Sequence, residues 1–188
     1  RGMKIEQGLW APARYKPSPN HNARPKGEVS ALVLHSISLP PGVFAGDAIE
    51  RLFTNCLDPE ADPYFAKIAA LRVSAHLLIR RDGEAVQFVP FERRAWHAGV
   101  SRWRGQADIN DRSVGIELVN PGHEHGYRRF PESQMEALIA LSRGIVARHA
   151  IPARNVVGHG DIAPDRKSDP GELFDWRRLA HAGIGLWP

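Results

Sequence analysis

No stretch of the chain narrows the choice of folds as much as Val29-Ser30-Ala31-Leu32-Val33-Leu34-His35-Ser36-Ile37. It is rich in β-formers and apolar at consecutive rather than alternating positions, as a central strand buried on both sides should be. His35 closes the run, just before the Leu39-Pro40-Pro41-Gly42 loop. A histidine there reads either as a hydrogen-bonded core residue or as a ligand at a strand end, where sites tend to form. A second such run, Ser113-Val114-Gly115-Ile116-Glu117-Leu118-Val119, carries a carboxylate among aliphatic side chains. A charge in that setting is costly unless it is paired or poised for chemistry, so Glu117 is a candidate functional residue.

Elements of familiar kinds surround these strands. Ala75 to Arg80 and Glu84 to Val89 flank Arg81-Asp82-Gly83, the pattern of a hairpin, with His76 in a structural role. After Gly46 the spacing of Ile49, Leu52, Phe53 and Cys56 predicts a short helix capped by Asp47, with Cys56 on its apolar face. A loop through Pro59 and Pro63 follows, carrying Tyr64, Phe65 and Ile68 as one wall of a cleft. Met135, Leu138, Ile139, Ile145, Val146 and His149 predict the main packing helix between Pro131 and Ala150, and a last short helix spans Phe174 to Ala180. His123 and His125 are expected to face solvent. Before Lys26, four prolines and few apolar residues read as an extended surface arm pinned by Trp10 and Tyr15.

At 188 residues, with 43% hydrophobic and 24% charged side chains, the chain suits one domain with an ordinary core. That domain is expected to span 3–188, the arm being 3–27, with Arg1 and Gly2 a remnant ahead of the natural start at Met3. No apolar run reaches the length of a membrane span and no secretory pattern precedes the domain. The lone Cys56 excludes an internal disulfide. A net charge of +4 from scattered basic residues argues for mild attraction to acidic substrates and against nucleic acid.

The most chemically crowded segment runs from Gly158 to Gly171: Gly-His-Gly-Asp-Ile-Ala-Pro-Asp-Arg-Lys-Ser-Asp-Pro-Gly. Its glycines and prolines disfavour helix and strand and impose a fixed, irregular path. His159 and Asp169 could meet one cation, with Lys167 beside them as a charge stabiliser, which is half of a zinc site. The same composition also describes a solvated turn whose charges pair with one another. Trp96-His97-Ala98-Gly99 leaves a similar choice between a packed loop and a ligand-facing one with an aromatic ring, a titratable ring and room for close approach.

In their joint order, His35, Trp96-His97-Ala98-Gly99, Gly115-Ile116-Glu117, Gly158-His159 and Ala163 to Gly171 closely resemble the AmpD branch of the zinc-dependent N-acetylmuramoyl-L-alanine amidases. The similarity runs from about Trp10 to Trp176 and takes in Ser38 to Gly42, Arg72 to His76 and Arg80 to Gly83. The resemblance implies an α/β fold, a central mixed sheet flanked by helices and related to the peptidoglycan-recognition proteins. It further implies Zn2+ held by His35, His159 and Asp169, Glu117 as the catalytic acid and base, and Lys167 as the cation that stabilises the oxyanion. Arg72, Ala95 and Arg166 match substrate contacts of that branch, and Ser36, Trp96 and His97 complete the expected substrate-binding set, Ser36 standing where many cytosolic members have Asn.

The implied substrate is a muropeptide, cut between the lactyl group of the 1,6-anhydro sugar and L-alanine during wall recycling, by a cytoplasmic monomer. The loop Val119 to Tyr127 looks more like that of exported wall amidases, so hydrolysis of intact peptidoglycan in the periplasm is the alternative. A non-catalytic binder of wall fragments is the rival of another class.

Overall fold

Both apolar runs become the middle of one sheet. The computed structural model describes residues 5–188, and Arg1 to Lys4, the expected remnant included, lie outside that range. Six strands, β1 (Arg14–Tyr15), β2 (Ala31–Ile37), β3 (Leu77–Ile79), β4 (Ala85–Gln87), β5 (Ser113–Val119) and β6 (Val156–Gly158), lie in the order β6-β2-β5-β3-β4-β1. From β6 to β3 the neighbours are parallel, β3 and β4 form the antiparallel hairpin, and β1 runs parallel to β4. The helices are α1 (Ala48–Phe53), α2 (Pro63–Ile68), α3 (Glu132–His149), α4 (His159–Ile162) and α5 (Trp176–His181).

Alternation along the strands assigns their two faces. Leu32, Leu34, Leu77, Ile79, Val114, Ile116 and Leu118 pack with Met135, Leu138, Leu141 and Ile145 of α3 in one core. Each such side chain contributes about 1.5–3 kcal/mol on full burial. On the opposite face Leu78, Val86 and Val119 pack with Ile49, Leu52 and Phe53 of α1 and Phe65 of α2, while Val33 and Val157 form a smaller cluster with Ala98, Ile109 and Ile162. Because β2, β5 and β6 are parallel, their C-terminal ends share one rim. In register there, Glu117 lies opposite His35, and β6 runs straight into His159.

Several local expectations change. Cys56 is exposed, beyond the end of α1, because the helix stops at Phe53 and Thr54 caps it. Asp47 makes no side-chain cap; its carboxylate accepts instead from Arg51 Nε at 2.8 Å. The Pro63 loop is a helix, since proline suits the first helical turn and Asp62 accepts from Tyr64 N. One helical turn, α4, forms inside the glycine-rich segment, with Asp161 accepting from Gly158 N at 2.7 Å. The arm is more than a surface strap. Trp10 is buried as expected, but Tyr15 is exposed and holds the arm through backbone pairing of β1 with β4, while Arg24 is buried.

Candidate metal centre and active-site cleft

Three donors meet at the shared rim. His35 comes from the end of β2, His159 from the start of α4, and Asp169 from the loop that follows. His35 Nδ1 lies 3.0 Å from His159 Nδ1 and 3.5 Å from Asp169 Oδ2, and His159 Nδ1 lies 3.4 Å from Asp169 Oδ1. A tetrahedral ion bonded at about 2.0–2.1 Å needs ligand atoms roughly 3.3 Å apart, a spacing close to these distances, although the two imidazoles approach different oxygens of Asp169.

The outer hydrogen bonds fit the same picture. His159 Nε2 is 2.9 Å from the Ala98 carbonyl, which can only accept, so the proton of the neutral ring sits on Nε2 and Nδ1 is bare. His35 Nε2 is 2.8 Å from His97 Nδ1, and His97 Nε2 is 3.0 Å from Ser113 Oγ. These contacts can run in either direction; with His35 donating to His97 and His97 to Ser113, His35 Nδ1 is bare as well. In that tautomer the two bare nitrogens, 3.0 Å apart, would repel, and a cation between them would remove the conflict. Burial keeps the His35 imidazole below its usual pKa.

Glu117 stands beside this triangle, its Oε1 3.9 Å from His35 Nδ1 and its buried Oε2 without a hydrogen-bond partner among the described residues. Burial pushes its carboxyl well above the usual range, the charge of Asp169 adds to the shift, and Lys167 opposes it. The four groups open into a cleft of about 380 Å³ whose walls include Ser36, Tyr64, Trp96, Lys167 and, from the loop after β5, Pro121, Gly122 and His125. Tyr64 thus forms part of the expected wall. That loop is clasped to the ligand loop: Tyr127 Oη donates to the Pro170 carbonyl at 2.5 Å and His123 meets Glu172 at 2.6 Å. His123 and His125 are both exposed, as expected.

The six expected substrate-binding residues divide. Ser36, Trp96 and His97 line the cleft. His97 does so from below, tied to His35 and Ser113, and its ring occupies the space over Gly115, where any Cβ would collide with it. Ala95, Arg72 and Arg166 are not among the cleft residues. Ala95 is fully buried in the α1/α2 core. Arg72 turns back onto the carbonyls of Ala69, Ala70 and Leu71, and Arg166 onto those of Ala98 and Val100.

Other contributors were silent in the sequence. Asn110 accepts from both His97 N and Ala98 N, at 3.1 and 2.8 Å, and so holds the segment under the site. Arg24 donates to the carbonyls of Asn110, Phe91 and Ser113, and burial lowers its pKa to about 10. His76 accepts from Gly115 N and donates to the Arg93 carbonyl, and burial lowers its pKa to about 3. Only a lone buried arginine in a proline-rich arm, or an asparagine in a polar turn, marks such roles, and neither pattern is distinctive.

Residues 25–172 match the family model of the N-acetylmuramoyl-L-alanine amidases. The 1,6-anhydro-N-acetylmuramyl-L-alanine amidase AmpD of Escherichia coli K12 is 51% identical over 178 residues, covering 94% of this chain and 95% of that protein. A crystal structure of a selenomethionine derivative of AmpD superposes with a TM-score of 0.90 at 50% identity, over 96% of this chain and 99% of that one. The E. coli amidase AmiD, in complex with anhydro-N-acetylmuramic acid-L-Ala-D-γ-Glu-L-Lys, gives a TM-score of 0.65 at 34% identity, over 100% of this chain and 68% of AmiD.

Proposed function

The chain belongs to the N-acetylmuramoyl-L-alanine amidase family, and from that premise we propose that it hydrolyses the amide joining the lactyl group of 1,6-anhydro-N-acetylmuramic acid to L-alanine in muropeptides recovered from wall turnover. The observation that carries the chemistry is the triangle of His35, His159 and Asp169 with the buried Glu117 beside it in an open cleft. The anhydro substrate rests on identity over nearly the whole length of AmpD and on the anhydromuramyl peptide held by AmiD.

In this reading the ion is zinc, which two imidazoles and one carboxylate suit, and which when bound supplies a Lewis acid that polarises the scissile carbonyl and acidifies water. Its positive charge favours the ionised form of Glu117, the form a base needs. Glu117 takes a proton from the attacking water and returns one to the departing nitrogen of L-alanine. Lys167 offsets the negative charge that grows on the carbonyl oxygen during attack. Trp96 gives the sugar or stem peptide an apolar surface to lie on. Every one of these groups comes from one copy of the chain, so a monomer would hold a complete site. The recycling reading places its substrate pool in the cytoplasm.

One feature favours a second substrate pool: the loop after β5 reaches the cleft wall through His125 and is clasped to the ligand loop. Mass spectrometry of products from anhydro-muropeptide and from intact sacculi, assayed side by side with the zinc-loaded protein, decides the matter. Release of free stem peptide from the anhydro-muropeptide is expected. Release from sacculi alone would move the substrate to the polymeric wall, and cleavage of neither would overturn the amidase assignment.

A further inference from the structure

Arg166 does not point into the cleft, and its partners give it a different use. Its Nη2 lies 2.7 Å from the Ala98 carbonyl and 2.7 Å from the Val100 carbonyl, and its Nε lies 3.2 Å from the latter. The Ala98 carbonyl is also where His159 Nε2–H ends, at 2.9 Å. A carbonyl oxygen has two lone pairs, so one oxygen serves both donors. Resting on the metal-amidase reading above, we infer that Arg166 is a positioning residue: by holding the Ala98 carbonyl it fixes the orientation and tautomer of His159, and it ties together the two segments on either side of the metal centre.

The surroundings leave this task to Arg166. On one side the segment is fixed by Asn110, which accepts from His97 N and Ala98 N. On the other side the Val100 side chain is 85% exposed, and beyond it buried Ser101 donates from Oγ to the Gly99 carbonyl at 3.0 Å, which leaves the Ala98 and Val100 carbonyls to Arg166. Gly99, at φ +61°, brings the backbone against the guanidinium, and a Cβ there would lie 2.8 Å from Nη2. Arg166 itself sits in a turn, with Arg166 N and Lys167 N both donating to the Ala163 carbonyl, directly before Lys167 and three residues before Asp169. A planar guanidinium can reach two carbonyls at fixed angles, and the bonds are charge-assisted; a lysine ammonium lacks that fork.

The test compares Arg166→Ala and Arg166→Lys with the unaltered protein in the absence of substrate. Zinc release to a chelator should be about 10–100-fold faster in Arg166→Ala, the usual cost of losing an outer partner of a metal ligand. Hydrogen-exchange protection of Ala98 N–H should fall in the same variant, and turnover should drop more than the Michaelis constant rises. Arg166→Lys should recover only part of each effect. Unchanged zinc release and unchanged protection, with a raised Michaelis constant alone, would overturn the inference and return Arg166 to substrate binding. Failure of the unaltered protein to bind one zinc would instead overturn the metal-amidase reading, so the two failures are told apart.

Discussion

The two faces of β2, β5 and β3 are equally dry and differ in kind. Toward α3 the strands present Leu32, Leu34, Val114, Ile116, Leu118, Leu77 and Ile79, all at 0% exposure. One residue along, the same strands present His35 at 1%, Glu117 at 9% and His76 at 0%. Burial therefore does not distinguish scaffold from site here. The aliphatic face needs only filled volume, which several residue sets supply. On the polar face the imidazoles depend on directional partners: His76 with Gly115 N, His35 with His97, His97 with Ser113. A sheet of parallel strands can thus carry its stability and its chemistry on alternate residues, and a substitution should disturb one without the other.

The sharpest break of that symmetry is His159→Ala. We expect loss of stoichiometric zinc and of measurable activity with the circular-dichroism spectrum unchanged, because a three-ligand site rarely survives on two. Full metal content with normal turnover would remove His159 from the ligand set. Next is Glu117→Gln, for which turnover should fall roughly 10²–10⁴-fold while zinc stays bound. Thermal unfolding of this variant should begin no lower than in the parent, since the amide removes a buried charge that has no protein partner. Lys167→Met should cost about 10²–10³-fold in turnover with little change in the Michaelis constant, as for an interaction made only in the transition state.

On the other face, Leu138→Ala should do the reverse. Urea unfolding should show a loss of about 2–5 kcal/mol, while zinc affinity and turnover measured well below the melting point stay at parent values. A matching loss of zinc affinity would mean that the faces are coupled after all. The gentlest probe is acid. His76 has a folded pKa of about 3 against 6.5 for an unperturbed imidazole, so between those values the unfolded chain binds a proton that the folded one refuses. Stability should decline as pH falls from 6.5 toward 3 and be fully present above 6.5. A stability profile flat across that window would contradict a neutral, buried His76.

Much of this division could be read from residue order alone. Val29 to Ile37, Ser113 to Val119, the Asp82-Gly83 hairpin and the helix after Pro131 carry strong local patterns, and each lies where its pattern puts it. Donor types at 159 and 169 suggested half of a metal site, the family resemblance added His35, and the fold brings the three together. What local pattern could not convey is the choice among distant acceptors. Arg166 matched a cleft position but bonds to carbonyls 66 and 68 residues away. Ala95 matched one too, yet its methyl is enclosed by core. Cys56 continued a helical spacing that the chain abandons at Thr54. Periodicity describes which side a residue faces, not where its neighbours end.

Gly115 has no side chain, and the His97 ring fills that gap. Even alanine, the smallest step from glycine, would collide with the ring, and a smaller residue at 97 would strip His35 of the imidazole that holds its Nε2. Neither position can drift while the other stays put. The two must be inherited as a unit, although 17 residues separate them in the chain as it is written. A lineage that abandoned hydrolysis would be released from that bond, and a side chain at 115 would be an early trace of the departure.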